Sequence, residues 1–269
     1  IYVSKQEDAK IALAKAFCLY SSRILSKEPQ NIPSANLLVI GPTGCGKTYS
    51  IELLAKKAKM PIVKVNLGNF NETLEDALRN FPKGQMNGII YVDEADKVLM
   101  NPSDPRNKSF IGYLENGVYN GIDLSGMLFI LSGAFQPLFD AKKKKEPSAT
   151  GLTREDLENY GVPKEILGRL PIIGNIMPMT IETLIGILQS PKSAVNDYVH
   201  FFKTERDISI KVEERAYQAI AEEAIKTSQG ARALKGVCDK LFDWYFFNAE
   251  SGKSYVIDQK KAKEILGEK

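Results

Sequence analysis

The chain has 269 residues, of which 43% are hydrophobic, and a formal net charge of +3 at pH 7. This length gives room for one large domain or two modest ones with a real apolar core. So weak a positive charge does not favour nucleic acid as the main partner, and no apolar run reaches the roughly eighteen residues that a membrane span needs. No secretory signal pattern is present, and because the first residue is Ile1 rather than Met, we expect that a further segment can precede it.

The cysteine content points to a reducing environment. Cys18, Cys45 and Cys238 lie far apart and form no C-x-x-C pair, and His200 is the only histidine. Together they do not predict a zinc site. An odd, sparse set of cysteines is typical of reducing compartments, so we expect a protein of the cytoplasm or an equivalent compartment.

Helical and strand patterns alternate through most of the chain. An amphipathic helix is predicted over residues 7–24, and later helices over residues 49–58 and 71–80. The predicted strands are residues 37–40, 61–66, 88–93, 127–131 and 171–176. Apolar strands that alternate with helices predict an α/β fold with a parallel five-stranded sheet covered on both faces.

From residue 179 onward the pattern is mostly helical. The predicted elements are helices over residues 180–190, 191–203, 213–228 and 230–248 and one short strand over residues 254–257. We therefore predict a large α/β domain over residues 1–178 and a small, mostly helical domain over residues 179–269. The lysine run Lys142–Lys145 is predicted to be a solvated loop, with a basic patch for a partner as the alternative.

The segment after the first strand fits G-x-x-x-x-G-K-[ST] at every position. Its glycines let the backbone N–H groups turn toward phosphate oxygens, and the following helix adds the positive end of its dipole. Lys47 is predicted to contact the β- and γ-phosphates of ATP and Thr48 to give its hydroxyl to magnesium. The alternative is a glycine-rich turn without a ligand, which the ordered series of strand, loop, Lys, Thr and helix does not favour. The predicted nucleotide contacts are Gly41, Pro42, Thr43, Gly44, Cys45, Gly46, Lys47, Thr48 and Tyr49.

Two acidic residues stand at the end of the apolar strand 88–93. Asp93 is its last residue, and Glu94 follows it. Ligands bind at the carboxyl edge of a parallel sheet, so this pair is expected beside the phosphate loop. ATP hydrolysis needs a carboxylate that holds magnesium and a group that orients the attacking water. We assign Asp93 to the metal and Glu94 to the water.

With these motifs the chain resembles the AAA+ ATPases, and within them the ClpX/HslU group of ring-forming protein unfoldases. The resemblance covers almost the whole chain and runs through six segments in the same order. The segments are residues 3–10, 41–48, 90–97, 129–136, 163–171 and 230–234. It implies a AAA+ P-loop domain followed by a helical lid, with ATP or ADP and Mg²⁺ as ligands.

The resemblance also implies roles for four residues outside the two nucleotide motifs. Val3 lies in the segment that helps to hold adenine, and Ser132 lies at the first sensor. Arg169 lies in the arginine-finger segment and would act in trans on a neighbour's nucleotide. Arg232 lies at the second sensor, in the lid. Both guanidinium groups would stabilise the charge that spreads over the γ-phosphoryl oxygens, which makes the implied catalytic set Lys47, Glu94, Arg169 and Arg232. An ordinary ion pair is the alternative for each arginine.

The departures from this group concern substrate handling. Where the group has a Gly-Tyr-Val-Gly pore loop, this chain reads Gly68-Asn-Phe-Asn71. Phe70 either contacts substrate or packs against the following helix as a staple. Residues 137–162 lack the Ile-Gly-Phe tripeptide that docks a peptidase, and the sequence has no cysteine-rich zinc domain or long inserted domain. A peptidase partner is therefore not expected.

Three functions follow from these observations. The leading hypothesis is a magnesium-dependent ATPase that forms a homo-oligomeric ring, expected to be a hexamer, and unfolds or remodels a protein substrate. The second is an ATP-gated binding or assembly module that does not thread substrate. The third is a AAA+ motor on nucleic acid, which the weak positive charge does not favour.

Overall fold

The chain folds into two compact units. The computed structural model describes residues 6–69, 73–79, 81, 87–115, 117–119, 121–227 and 229–267. The sheet unit comprises residues 6–42 and 47–177, and the helical unit comprises residues 43–46 together with those from Pro178 onward.

A parallel sheet forms the centre of the sheet unit, as predicted from the alternating pattern. The strands of this unit are β1 (Leu37–Ile40), β2 (Ile62–Asn66), β3 (Gly88–Asp93), β4 (Val118–Tyr119), β5 (Ile122–Asp123), β6 (Met127–Gly133) and β7 (Ile172–Asn175). Five of them form the parallel sheet in the order β2-β3-β6-β1-β7, whereas β4 and β5 pair as a separate antiparallel hairpin. All residues of β1 and β6 are buried, which explains their continuous apolar sequences.

Eight helices are described in the sheet unit. They are α1 (Glu7–Leu25), α2 (Lys47–Ala58), α3 (Leu74–Arg79), α4 (Asp96–Leu99), α5 (Arg106–Tyr113), α6 (Gln136–Lys145), α7 (Arg154–Asn159) and α8 (Lys164–Arg169). The prediction of a loop at Lys142–Lys145 was wrong, because these lysines form the last turn of α6. Cations are favoured at a helix C-terminus, and Lys142 also pairs with Asp156 at 2.6 Å.

The strand order gathers three chain segments at one edge of the sheet. β1 lies between β6 and β7, and β3 lies on the other side of β6. Since all these strands are parallel, their carboxyl ends meet at the same edge. The chain leaves that edge through the phosphate loop after β1, through Glu94 after β3 and through the residues that follow β6. This is the edge at which open α/β sheets bind ligands.

The helical unit has its own hydrophobic core, which includes Phe202, Ile220 and Phe242. Its elements are α9 (Ile181–Leu188), α10 (Ala194–Glu205), β8 (Ser209–Val212), α11 (Glu214–Lys226), α12 (Ala233–Asn248), β9 (Ser254–Ile257) and α13 (Gln259–Leu266). β8 was not predicted, and it pairs in parallel with the predicted strand β9. Within the described part of the chain, no helix has both the length and the hydrophobicity of a membrane span.

Close packing of α1 on β7 depends on a glycine. A Cβ atom at Gly174 would lie 2.7 Å from the Cβ of Ala12 in α1. That distance is shorter than any normal contact, so the helix and the strand approach each other only because Gly174 has no side chain.

We predict that Gly174→Ala lowers the free energy of unfolding by about 1–3 kcal/mol, because the added methyl group overpacks this interface. Gly168→Ala is the matched control. It makes the same change within α8, where a Cβ would have no atom within 4 Å, and it replaces a poor helix former. Urea unfolding of the full chain measures both, and equal effects of the two substitutions would refute the packing explanation.

Candidate nucleotide site

The phosphate loop follows β1 directly and continues into α2 at Lys47. Gly44 and Gly46 have φ angles of +75° and +89°, a region that residues with a side chain rarely adopt. Nζ of Lys47 donates to the carbonyl oxygens of Gly41, at 2.6 Å, and Pro42, at 2.9 Å. The lysine is therefore folded over the first residues of its own loop, with its charge held beside the peptide groups predicted to bind phosphate.

A Cβ atom at the first glycine of the motif, Gly41, would lie 2.5 Å from the carbonyl oxygen of Ile176, just after β7. The backbone at the end of β1 thus passes too close to the neighbouring segment for any side chain. Residues 43–46 of the loop fall in the helical unit, and Cys45 is buried. Tyr49, in the first turn of α2, is exposed.

Four side chains in the sheet unit form a hydrogen-bonded group at the predicted magnesium site. Thr48 Oγ1 donates to Asp93 Oδ2 at 3.1 Å, and Ser132 Oγ donates to Asp93 Oδ1 at 2.7 Å. The hydroxyl of Tyr91 lies 2.7 Å from Ser132 Oγ and 3.1 Å from Thr48 Oγ1. The structure therefore joins the hydroxyl and the carboxylate that the sequence assigns to magnesium.

The charge state of Tyr91 is fixed by its surroundings. Burial, and then the negative charge of Asp93, raise the pKa of the Tyr91 phenol well above its usual value. The phenol is therefore protonated at neutral pH, and its hydroxyl can donate a hydrogen bond.

Glu94 leaves the end of β3 in an unusual backbone conformation. Its φ angle is +55°, in the left-handed region, and its backbone N–H donates to Asp93 Oδ1 at 2.9 Å. Its carboxylate lies near the end of β2, where Asn66 Nδ2 is 3.5 Å from Glu94 Oε1. The turn thus directs the two adjacent acidic side chains to different neighbours.

The two predicted arginines are not among the residues of this hydrogen-bonded group. Arg169 is the last residue of α8, where it donates to the carbonyl oxygen of Glu165 at 2.8 Å and forms an ion pair with Glu115. None of its described hydrogen bonds reaches Asp93 or Glu94. Arg232 ends a 3₁₀ turn, Gly230–Arg232, in the helical unit. Their catalytic roles stay predictions.

Two other predicted residues lie outside the described part of the chain. Val3, assigned to the adenine, is one, and Phe70, assigned either to substrate contact or to a helix staple, is the other.

Two residues of the candidate site, Tyr91 and Asn66, were not predicted. Alternate residues of a strand face the same side, so Tyr91 and Asp93 share one face of β3. A tyrosine two positions before the acidic pair was therefore a usable signal. Asn66 pairs with Asp93 in the register of β2 and β3, and only the fold reveals that neighbour.

Comparisons with known proteins agree with this geometry. Residues 37–125 match the family described as ATPase family associated with various cellular activities (AAA). The chain is 26% identical over 329 residues to the ATP-dependent Clp protease ATP-binding subunit ClpX of Bacteroides thetaiotaomicron, and equally to that of Bacteroides fragilis. In both cases the match covers 98% of this chain and 79% of the relative.

These findings support a ClpX-like AAA+ ATPase. The chain binds nucleotide and hydrolyses ATP, as the sequence predicted. Because the alignments extend over 329 positions and the chain has 269 residues, at least 60 positions of each relative have no counterpart in this ClpX-like ATPase.

The position of the Glu94 carboxylate also depends on a neighbouring glycine. A Cβ atom at Gly68 would lie 2.0 Å from Glu94 Oε2, the mobile end of a side chain. An added methyl group would therefore displace the carboxylate and leave the backbone where it is.

We predict that Gly68→Ala lowers kcat for ATP by at least about tenfold while the unfolding temperature stays the same, since a small misplacement of the group predicted to orient the water is costly. Gly117→Ala is the control, because a Cβ there has no atom within 4 Å. Steady-state ATP hydrolysis of both variants decides the matter, and an unchanged kcat for Gly68→Ala would show that Glu94 does not act from this position.

Proposed function

We propose that this ClpX-like ATPase is magnesium-dependent, assembles into a homo-oligomeric ring, as a hexamer, and uses ATP hydrolysis to unfold or remodel a protein substrate. The observation that carries the proposal is the direct contact of Thr48 with Asp93 at 3.1 Å, next to Glu94 and the phosphate loop. This arrangement supplies a metal-binding pair and a water-orienting carboxylate at one edge of the sheet.

The donor set fits magnesium. Among the described residues, no group of three or more His, Cys, Asp or Glu side chains could hold a metal ion. Magnesium needs no such cage, since one or two protein oxygens, water and nucleotide phosphates complete its ligands. Thr48 and Asp93 would hold it, and the bound ion would neutralise charge on the phosphates.

The remaining residues have separate roles in this proposal. Lys47 contacts the β- and γ-phosphates from within the loop formed by residues 41–49. Glu94 orients the attacking water, and Val3 helps to hold the adenine. Arg232 acts from the proposed helical domain, residues 179–269, upon nucleotide held by the proposed large domain, residues 1–178. Arg169 completes the site of the next subunit in the ring, because a guanidinium group there stabilises the developing charge on the γ-phosphate.

Substrate and partners are inferred from the relatives. Their name identifies them as the ATP-binding subunit of a Clp protease. This chain lacks the Ile-Gly-Phe tripeptide within residues 137–162, so we propose that it remodels a protein without such a peptidase. Its described cysteines are free thiols, which fits action in a reducing compartment such as the cytoplasm.

Two observations favour the alternative, an ATP-gated assembly module that does not thread substrate. At least 60 positions of ClpX have no counterpart in this chain. The sequence Gly68-Asn-Phe-Asn71 also stands in place of a Gly-Tyr-Val-Gly loop. Both differences reduce the parts available to grip a polypeptide. In that case ATP binding alone would control the partner, and turnover would be slow.

We predict that Glu94→Gln binds ATP with unchanged affinity but loses its turnover, and that Arg169→Ala also loses it. Mixing the two inactive variants restores activity if Arg169 acts in trans, because a subunit with an intact Glu94 then has a neighbour with an intact arginine. Random mixing in equal amounts completes about a quarter of the sites in a ring with head-to-tail interfaces.

The control mixes Glu94→Gln with the double variant Glu94→Gln/Arg169→Ala. It contains no intact Glu94, so it must remain inactive. If the first mixture is also inactive although the rings form and exchange subunits, the arginine does not serve a neighbour. Full turnover by Glu94→Gln alone would remove Glu94 from the reaction.

We also predict that tagged Glu94→Gln protein retains its client when ATP is present, because the site stays filled without turnover. Lys47→Ala is the control, as it should fail to bind ATP and to retain the client. Adding the purified client to the wild-type protein then separates the two functions. A remodelling enzyme unfolds the client as it consumes ATP, whereas an assembly module binds it without unfolding.

A further inference from the structure

A chain of hydroxyl groups lies behind the proposed magnesium site. Tyr91 and Ser132 are both fully buried, in the adjacent strands β3 and β6. The register that pairs Val92 with Leu131 brings Asp93 beside Ser132 at the ends of these strands. The hydroxyl of Tyr91 meets Ser132 Oγ at 2.7 Å, and Ser132 Oγ meets Asp93 Oδ1 at the same distance.

The directions of these hydrogen bonds follow from counting protons. An ionised carboxylate only accepts, so the single proton of Ser132 is donated to Asp93 Oδ1. The contact between Tyr91 and Ser132 then needs the proton of Tyr91. With that proton used, the tyrosine oxygen can only accept from Thr48. The hydrogen bonds therefore run from Tyr91 to Ser132 and from Ser132 to Asp93.

These contacts favour a role for Ser132 other than the one that its place at the first sensor implies. Its proton is already given to Asp93 and its oxygen accepts from Tyr91, and it is fully buried. It is therefore arranged to hold the carboxylate and not to contact a nucleotide.

We propose that Tyr91 and Ser132 are positioning residues for the metal site, with Tyr91 holding Ser132 and Ser132 fixing Oδ1 of Asp93, so that Oδ2 stays directed at Thr48. This proposal rests on the assignment of magnesium to Thr48 and Asp93 in the proposed function. Neither residue touches the nucleotide or the reacting atoms.

Tyr91 also touches the second metal-binding group directly. Thr48 Oγ1 lies 3.1 Å from Asp93 Oδ2 and 3.1 Å from the hydroxyl of Tyr91. The threonine proton therefore has two acceptors at equal distance. The Thr48 hydroxyl can donate to Tyr91 while its oxygen and Asp93 Oδ2 would be available to a bound magnesium ion. Tyr91 thus supports both groups of the pair, and Ser132 supports one.

The test measures magnesium binding rather than activity. The affinity for a fluorescent ADP is determined in EDTA and across a titration with Mg²⁺. The magnesium ratio, which is the affinity with Mg²⁺ divided by the affinity in EDTA, reports the contribution of the metal. We expect Ser132→Ala and Tyr91→Phe each to lower this ratio about tenfold, the effect of losing one buried hydrogen bond to a charged or metal-binding group. Affinity in EDTA should not change.

A double variant tests whether the two residues form one chain. If Tyr91 acts through Ser132, the magnesium ratio of Tyr91→Phe/Ser132→Ala falls by a smaller factor than the product of the factors for the two single variants. Tyr20→Phe is the matched control. It removes a buried phenol hydroxyl that donates to the carbonyl oxygen of Gly126 at 2.8 Å, where β6 begins, at the other edge of the sheet. Its magnesium ratio should equal that of the wild type.

Three outcomes would overturn the proposal. One is an unchanged magnesium ratio in both variants, provided that the wild type itself responds to Mg²⁺. Another is a loss of affinity in EDTA, which would place Ser132 at the nucleotide. The third is an equal effect of Tyr20→Phe, which would mean that any loss of a buried hydroxyl disturbs the sheet. A wild type whose ADP affinity ignores Mg²⁺ would instead refute the magnesium assignment of the proposed function.

Discussion

The structure of the site depends on one carboxylate, Asp93, at the end of a strand that is otherwise buried. A charge next to an apolar sheet costs free energy unless hydrogen bonds compensate for the water it has lost. Asp93 receives three such bonds, from Ser132, from Thr48 and from the backbone N–H of Glu94. Ser132 lies in β6, Thr48 lies in α2 and Glu94 lies in the tight turn after β3. The carboxylate of Asp93 has all its hydrogen bonds only when these three parts of the chain are in place.

The parallel sheet supplies those donors together. β3 and β6 are neighbours in register, which sets Ser132 beside Asp93, and the loop after β1 returns at Thr48 to the same edge. None of the three donors is close to another in sequence. The three donors therefore come together only in the folded sheet unit.

Much of this arrangement could be predicted from the sequence. The bounds of β3 were predicted correctly because its apolar run ends in two acidic residues, and the phosphate loop was recognised from a spacing that few other structures need. The strand β8 was missed because Ser209-Ile-Lys-Val212 is short and half polar, and only its partner β9 makes it a strand. A loop was predicted for the lysines of α6 because a run of charged side chains is also typical of a solvated loop.

The hydroxyl chain could not be predicted in the same way. Its members are hydrogen-bonded across strands, and the register that joins Tyr91 to Ser132 is a property of the folded sheet. The sequence places Tyr91 on the same face of β3 as Asp93, but it does not show that Ser132 of β6 lies beside them. Likewise, Glu115 is 54 residues away from Arg169 in sequence, and nothing local indicates that they pair.

That pair has a consequence for the proposed role of Arg169. The side chains of Arg169 and Glu115 are 29% and 54% exposed, so the ion pair between them is screened by solvent. Exposed pairs of this kind contribute no more than about 1 kcal/mol. An arginine finger accelerates phosphoryl transfer by about a thousandfold or more, which corresponds to about 4 kcal/mol at the transition state. The ion pair with Glu115 is therefore weak compared with the transition-state stabilisation that the proposed role of Arg169 requires.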